Sequence, residues 1–453
     1  MRTSVLTGEF NLTSNQSGAY VDLHEHLFRH ESGRMVAALT RIFGVHNLAL
    51  AEDVVQDAFC RALEVWKVRG VPDNPSAWLM ATARNRALDV VRRDRTARTF
   101  APEVTRLLET EWTTSPIVDD AFHAHTIRDE QLRMMFSCCH PRLPEEAQVA
   151  LILNILCGFG AGEIASAFLT GRAGIEKRIA RGKKILANAK TLFDLADSEF
   201  PARLSAVRHA LYLLFNEGYH GASAKAAVRA ELCGEAIRLV TLLREHGPAA
   251  TPTTNALAAL MCLHAARLPA RIDSLGDLSP LAGQDRSTWD GRLVAEGLAL
   301  LERSASGSEL SAYHIEAAIA AVHASARSVA ETDWASIVSL YDRLMDVAPS
   351  PVVALNRAIA IGQRDGADRG LEALQAITDR ERLARYPFYA AAMAEMELER
   401  GNRDAARRHF LTALALARND TERRFVNKRL QTSGKSKADA EAAEYSESRR
   451  KQL

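Results

Sequence analysis

Cysteine is scarce in this chain, and long apolar runs are missing. Six cysteines in 453 residues are too few for a disulfide scaffold, and the opening MRTSVLTGEF has no apolar run of the signal-peptide kind. The longest apolar stretch, residues 149–162, is interrupted by Asn154 and falls short of the roughly 20 residues that span a bilayer. We therefore expect a cytoplasmic protein without a membrane segment.

The motifs of several common enzyme classes are also missing. No G-x-x-x-x-G-K-[ST], G-x-G-x-x-G or H-E-x-x-H occurs, so the sequence gives no support for nucleotide hydrolysis, dinucleotide binding or metalloprotease chemistry. The formal net charge is only +1, and it does not by itself indicate a nucleic-acid partner. We expect a protein that is not an enzyme and needs no cofactor.

Residues 163–186, EIASAFLTGRAGIEKRIARGKKIL, predict a helix, a tight turn and a second helix. This order is typical of a helix-turn-helix. Basic residues lie off the apolar stripe of the second helix: Lys177, Arg178, Arg181, Lys183, Lys184 and Lys190. Such a face fits the major groove of DNA, although a solvated basic face on an ordinary helical hairpin would give the same pattern.

Two amphipathic helices are predicted nearer the N-terminus, over residues 27–42 and 49–68. The residues of the second helix predicted to face inward are Val54, Ala58, Leu63 and Trp66. The residues that make its opening polar and acidic are Glu52, Asp53, Gln56 and Asp57. Taken alone, this pattern describes a well-capped bundle helix.

A proline- and glycine-bearing loop, residues 69–76, precedes a further helix. Its predicted buried side consists of Trp78, Leu79, Ala83, Ala87 and Val91, and its outer side of Arg84, Asn85, Arg86, Arg92, Arg93 and Arg95. A basic face beside an irregular loop suits single-stranded or melted DNA. A solvated charged face is the alternative.

The predicted fold is all-α. We divide the chain into a tail (1–20), a helical bundle (21–99), a linker (100–122), a second helical domain (123–195), a C-terminal helical domain (196–432) and a polar tail (433–453). The C-terminal domain is rich in Ala and Leu. Within it, Tyr341, Leu374 and Phe410 recur near the period of about 34 residues of tetratricopeptide repeats, which predicts stacked helix pairs.

Two further clusters invite a chemical role. Cys138, Cys139 and His140, with His123 and His125, contain zinc's usual ligand types, but adjacent cysteines on a helix cannot readily both face one ion. A redox pair or buried thiols are the alternatives. Glu217 could act as a general acid, whereas a helix end closed by Gly218 also explains the polar run around it.

The order of these segments resembles a known family. AEDVVQDAFCRALEVW, NPSAWLMATARNRALD and LPEEAQVALILNILCGFGAGEIASAF followed by a basic helix resemble the extracytoplasmic-function (ECF) group of sigma-70 factors. The strings FSCCHP, LYLLFNEGY and SPVVALNRAIAI resemble a subgroup with a long tetratricopeptide-like extension. The resemblance implies a sigma-2 domain at 21–99 and a sigma-4 domain at 123–195, which together direct RNA polymerase to a promoter.

The resemblance also implies roles for single residues. Those that would bind core polymerase are Asp53, Gln56, Asp57 and Trp66. Those that would contact the minus-ten element are Trp78, Arg84, Asn85, Asp89, Arg92 and Arg93, beside a loop at 69–76 that would hold a flipped base. Those that would contact the minus-thirty-five element are Lys177, Arg178, Arg181 and Lys184. Gly171, Gly174 and Gly182 depart from the family, and each glycine within a helix should lower its stability by about 1 kcal/mol.

Two functional hypotheses follow. The first is a sigma factor whose partners are core RNA polymerase, promoter DNA and a protein bound to the tetratricopeptide-like domain, which modulates activity. The second is a polymerase-independent helix-turn-helix regulator or tetratricopeptide adaptor. The acidic helix at Asp53 distinguishes them, because an adaptor has no need of it.

Overall fold

The computed structural model describes residues 31–40, 43–44, 47–93, 124–168, 170–188, 200–220, 228–273 and 277–433. Within these ranges, the side chains at 91–93, 124–129, 166 and 200–201 are not described. The predicted tail 1–20, the linker 100–122 and all of the polar tail except Ser433 therefore lie outside the described residues. His123 and Lys190 also lie outside them.

The described chain is helical, and it contains no strand in these ranges, which confirms the predicted all-α class. The helices are α1 (31–40), α2 (Leu48–Arg69), α3 (Pro75–Arg93), α4 (Ala124–Cys138), α5 (Glu145–Ile155), α6 (Ala161–Ala167), α7 (Arg172–Ala187), α8 (Phe200–Tyr219), α9 (Ala230–Glu245), α10 (Pro252–Ala265), α11 (Leu268–Arg271), α12 (Gly291–Ser304), α13 (Ala312–Ser325), α14 (Trp334–Val347), α15 (Pro351–Asp365), α16 (Ala367–Gln375), α17 (Pro387–Glu399), α18 (Arg403–Leu416) and α19 (Asp420–Ser433). Among the described helices, none is both long and apolar enough to cross a membrane.

The described chain forms two compact units. Unit 1 contains α1 to α5 and the part of α7 from Lys177 onward. Unit 2 contains α6, the first turn of α7 up to Glu176, and α8 to α19. The predicted domain boundaries, including the domain at residues 123–195, stay a prediction.

The core of unit 1 follows the predicted apolar stripes. On α2, Val54, Ala58 and Trp66 are at most 2% exposed, and Leu79 on α3 is fully buried. Leu63 departs from the prediction, because it is 49% exposed. The stripe continues instead through Ala62, which lies four residues from both Ala58 and Trp66 and is fully buried.

The helix α5 is buried on nearly all sides, and this explains its long apolar run. Every residue from Val149 to Leu153 is fully buried. A helix that is apolar all round belongs in a core rather than at a surface. The run that the sequence shows at 149–162 therefore comprises most of α5, the loop that follows it and the first two residues of α6.

Unit 2 is built around α10, whose residues are almost all buried and which packs against α8, α9, α12 and α13. The chain then continues as helices that pack on their sequence neighbours, from α13 to α19. Short loops join them, and positive-φ glycines at Gly366 (φ 95°) and Gly401 (φ 83°) make two of these turns possible. Asp290, Ser350 and Asn402 cap the helices that follow them.

The residues predicted to repeat lie on alternate helices of this series. Tyr341 is on α14, Leu374 on α16 and Phe410 on α18. Leu374 and Phe410 are fully buried, and Tyr341 packs against the cluster of Ile315 and Ile337. Three apolar clusters follow one another along the series, so each helix pair buries a layer shared with its neighbours.

Candidate functional site

The polar face of α2 borders a groove in unit 1. Asp53, Gln56 and Asp57 are exposed, and they line a depression of about 350 Å³ with Arg86 of α3. The remaining lining residues are Leu50, Val54 and Val90. The groove therefore has an apolar floor with acidic and amide groups at its edge, which suits a protein partner that offers basic and apolar side chains.

An ion pair ties α2 to α3 across this groove. The Nη2 atom of Arg86 lies 2.9 Å from Oδ2 of Asp57, and both side chains remain more than a third exposed. Exposed pairs contribute little to stability, typically about 0.2–1 kcal/mol. The charge of Asp57 is thus partly neutralised by Arg86. Asp53 and Gln56, on the same helix, do not form an ion pair with Arg86.

Trp66 does not lie at the surface. It is 2% exposed, and its ring meets that of Trp78 edge to face, with the centroids 5.4 Å apart. The resemblance placed Trp66 among residues that touch polymerase, but in this structure its side chain packs inside the bundle and supports α3. Trp78 is half-buried.

The outer face of α3 carries the residues that the resemblance assigns to the minus-ten element. Asn85 and Asp89 are exposed, and Arg84 donates through Nη1 to Oδ1 of Asn85 at 3.3 Å. Arg92 and Arg93 lie in the last turn of α3, where side chains are not described. These residues share one helix, and its first turn follows the loop directly.

The loop that precedes α3 is shorter than predicted. The helix α2 continues to Arg69 and α3 begins at Pro75, so the connection comprises Gly70 to Asn74. Gly70 has φ 80°, and the Oδ1 atom of Asn74 accepts a hydrogen bond from the backbone N–H of Ala77 at 3.0 Å. A glycine turn and a side-chain cap thus fix both ends of the loop.

The basic residues of α7 are not all free to contact DNA. Lys177, Arg181 and Lys184 are exposed. By contrast, Arg178 lies 2.9 Å from Glu146 of α5, and Lys183 lies 2.6 Å from Glu52 of α2. Two of the predicted basic residues are therefore held in ion pairs within unit 1.

The glycines of α7 have different surroundings. A Cβ added at Gly182 would lie 2.8 Å from the Cδ1 atom of the buried Leu151, whereas one added at Gly174 would meet nothing within 4 Å. Gly182 therefore allows α7 to approach α5 closely. The close packing offsets the helix stability that a glycine loses relative to alanine. The sequence alone could not show this packing.

Cys138 and Cys139 pack as small apolar side chains. Both are at most 1% exposed, and Sγ of Cys139 lies 3.5 Å from the backbone oxygen of Met135. Burial raises the pKa of Cys138, which disfavours the reactive thiolate. Nδ1 of His140 accepts a hydrogen bond from the N–H of Arg142 at 3.2 Å. Among the described residues, no group of three His, Cys, Asp or Glu side chains is placed to hold a metal ion.

Sequence reasoning missed the ion pairs of Arg229 in unit 2. Its guanidinium lies 2.7 Å from Oε1 of Glu217 and 3.1 Å from Oε1 of Glu163 on α6. Gly218 does not close a helix with a positive φ. A Cβ there would lie 2.8 Å from the backbone of both Arg229 and Cys233, so this glycine allows α8 and α9 to touch. The glycine that follows Glu217 was the only signal in the sequence.

Comparison with known proteins identifies the first helices. Residues 27–97, which include the described helices α1 to α3, match the family described as Sigma-70 region 2. This match supports a sigma-70 region 2 in the first described helices. Residues 203–305 match a family of unknown function (DUF6596). The acidic groove of α2 thus lies inside the segment that matches Sigma-70 region 2.

One relative covers nearly the whole chain. The protein is 39% identical over 396 residues to Uncharacterized protein R00370 of Rhizobium meliloti (strain 1021), an alignment that spans 87% of this chain and 92% of the relative. No solved structure matches the chain. The match to Sigma-70 region 2 supports the sigma-70 part of the resemblance, whereas the ECF group and the tetratricopeptide-like extension stay predictions.

Proposed function

We propose that the protein is a sigma factor of the ECF type, which binds core RNA polymerase and directs it to promoters. The observation that carries this proposal is that the sigma-70 region 2 match coincides with helices whose exposed Asp53 and Gln56 border an open groove. This groove has acidic and amide groups at its edge and apolar side chains at its floor. A polymerase surface with basic and apolar side chains would pair with both.

Promoter contacts are proposed for two separate helices. The exposed Asn85 and the neighbouring Arg84 follow the capped loop Gly70 to Asn74, an arrangement suited to an unstacked base and its phosphates. The exposed Lys177 and Arg181 of α7 suit a duplex groove. Arg178 would have to leave Glu146 before it could contact DNA.

The C-terminal helices are proposed to form a tetratricopeptide-like domain that modulates activity. Support comes from the layered clusters along α13 to α19 and from the alternate-helix placement of Leu374 and Phe410. Glu163 of α6 belongs to the same compact unit as this domain and is held by Arg229. We propose that this contact braces α6, and that the intact C-terminal domain is required for transcription.

The groove is tested by charge reversal on α2. Asp53→Arg should weaken binding of the full-length protein to core polymerase by tenfold or more, since it places a like charge at the docking face. Glu64→Arg is the matched control, because Glu64 is also an exposed acid of α2 but does not line the groove. Equal affinities of the two variants would contradict the proposed contact.

The brace is tested by Glu163→Gln in run-off transcription at equal protein concentrations. This change removes the charge of one arm of the Arg229 network at a side chain that is 30% exposed. A brace predicts lower transcription at unchanged core binding. Higher transcription would instead indicate inhibition by the C-terminal domain. Sequence-specific DNA binding by the protein without core polymerase would favour the alternative of a polymerase-independent regulator.

A further inference from the structure

Three arginines of unit 2 have no carboxylate partner within the described part of the chain. They are Arg267, Arg271 and Arg286, which we call the arginine cluster. Their hydrogen bonds go to neutral groups, including the side chain of Gln284 at 3.3 Å and the backbone oxygens of Tyr219 at 2.9 Å and His323 at 2.7 Å. An arginine stays charged in proteins, and charges withdrawn from water are almost always paired.

Aromatic rings hold the three guanidinium groups in one region. The Cζ atoms of Arg267 and Arg286 each lie 5.3 Å from the ring centroid of Trp289. The Cζ atom of Arg271 lies 4.5 Å from the ring centroid of Tyr219. These cation–π contacts orient the guanidinium groups, but they do not neutralise the positive charge.

The positive charge of the arginine cluster also affects the pKa of two nearby histidines. Burial, followed by the charges of the arginine cluster, lowers the pKa of His264 to about 3 and that of His323 to about 4. Both rings are therefore neutral at pH 7. Nδ1 of each has no hydrogen-bond partner in the described residues, and the same is true of Oη of Tyr219 and Nε1 of Trp289.

The cluster combines buried rings with partly exposed residues. Tyr219 is 2% exposed and Trp289 is 8% exposed, whereas His264, Arg267 and Arg271 are half-buried. The unpartnered Oη of Tyr219 and Nε1 of Trp289 therefore lie on buried residues next to arginines that keep partial contact with solvent.

We propose that the arginine cluster binds an oxyanion, the phosphate or carboxylate group of a small molecule. Guanidinium groups match the planar, bidentate geometry of such oxygens and supply the strongest class of protein hydrogen bond. All three arginines lie in the segment matched by the family of unknown function. The proposal concerns a ligand of the C-terminal helices and does not rest on the proposed binding of polymerase or promoter DNA.

The test uses the full-length protein and two simple anions. Calorimetric titration and thermal melting are carried out with inorganic phosphate and with acetate, against sodium chloride at equal ionic strength. Saturable binding and a rise in melting temperature beyond that with chloride are expected for at least one of them. The anion that binds identifies the group. If neither differs from chloride, the proposal is overturned.

Substitutions test whether the anion binds at the arginine cluster. Arg271→Gln and Arg267→Gln should each weaken the anion by about tenfold or more, because each removes one charged donor. Arg238→Gln is the matched control, since Arg238 is paired with Glu235 at 2.7 Å in the same unit. Trp289→Phe keeps a ring and removes only the Nε1–H donor, and a smaller loss is expected. Equal affinity in cluster and control variants would overturn the assignment.

Discussion

Replacement of Arg229 by glutamine provides the sharpest test of how unit 2 is held together. The Arg229 side chain is 11% exposed and that of Glu217 is 8% exposed, so their 2.7 Å ion pair is largely out of water. Removing one partner of a buried pair costs about 3–5 kcal/mol, because the remaining charge stays buried. We expect the lower end, about 3 kcal/mol, since glutamine can still donate one hydrogen bond.

The measurement is hydrogen exchange of α6, α8 and α9 in the full-length protein, because a chain of two units need not unfold in one step. Arg229→Gln should speed exchange there, while Arg369→Gln, which breaks a solvent-exposed pair with Glu372, should leave exchange almost unchanged. Adding Glu217→Gln to Arg229→Gln should recover part of the loss, since no buried charge is then left. The reasoning is refuted if Arg229→Gln and Arg369→Gln behave alike.

Three further outcomes are expected. Gly174→Ala should stabilise the protein by up to about 1 kcal/mol in urea unfolding, whereas Gly182→Ala should not, because its Cβ would meet Leu151 at 2.8 Å. Under native conditions a thiol reagent should modify Cys60 rapidly and the five buried cysteines slowly, and several fast thiols would contradict the described burial. Arg181→Ala should weaken binding of the polymerase complex to promoter DNA by about 1–3 kcal/mol if this arginine contacts a base edge. Arg178→Ala should cause a smaller loss, because Glu146 competes with DNA for that arginine. Equal losses on all promoter sequences would indicate phosphate contacts instead.

Helical periodicity was sufficient to predict the fold class and most buried positions. Val54, Ala58 and Leu79 lie on stripes that recur every three or four residues, and such stripes are local in the sequence. The prediction that Leu63 is buried was wrong because the apolar stripe continues through an alanine, Ala62. A pattern read from large apolar residues overlooks a small one. Helical periodicity also predicted that Asp53 and Gln56 are exposed, since they lie on the face of α2 opposite the apolar stripe.

Contacts between residues far apart in the chain could not be predicted in this way. Arg229 and Glu163 are 66 positions apart, and Lys183 and Glu52 are 131 apart. Nothing in a local pattern selects one acid among many as the partner of a given base. The burial of Trp66, the pairing of Lys183 and the division into units all depend on such contacts, and they therefore emerged only with the structure.

The edge-to-face pair of Trp66 and Trp78 gives region 2 a built-in optical probe. Two indoles whose centroids are 5.4 Å apart couple their electronic transitions, and the resulting near-ultraviolet circular dichroism depends on their mutual angle of 64°. Because one ring belongs to α2 and the other to α3, any hinge between these helices would change that signal. A label-free spectrum could thus follow, in real time, whether these two helices move as a rigid body when a partner binds.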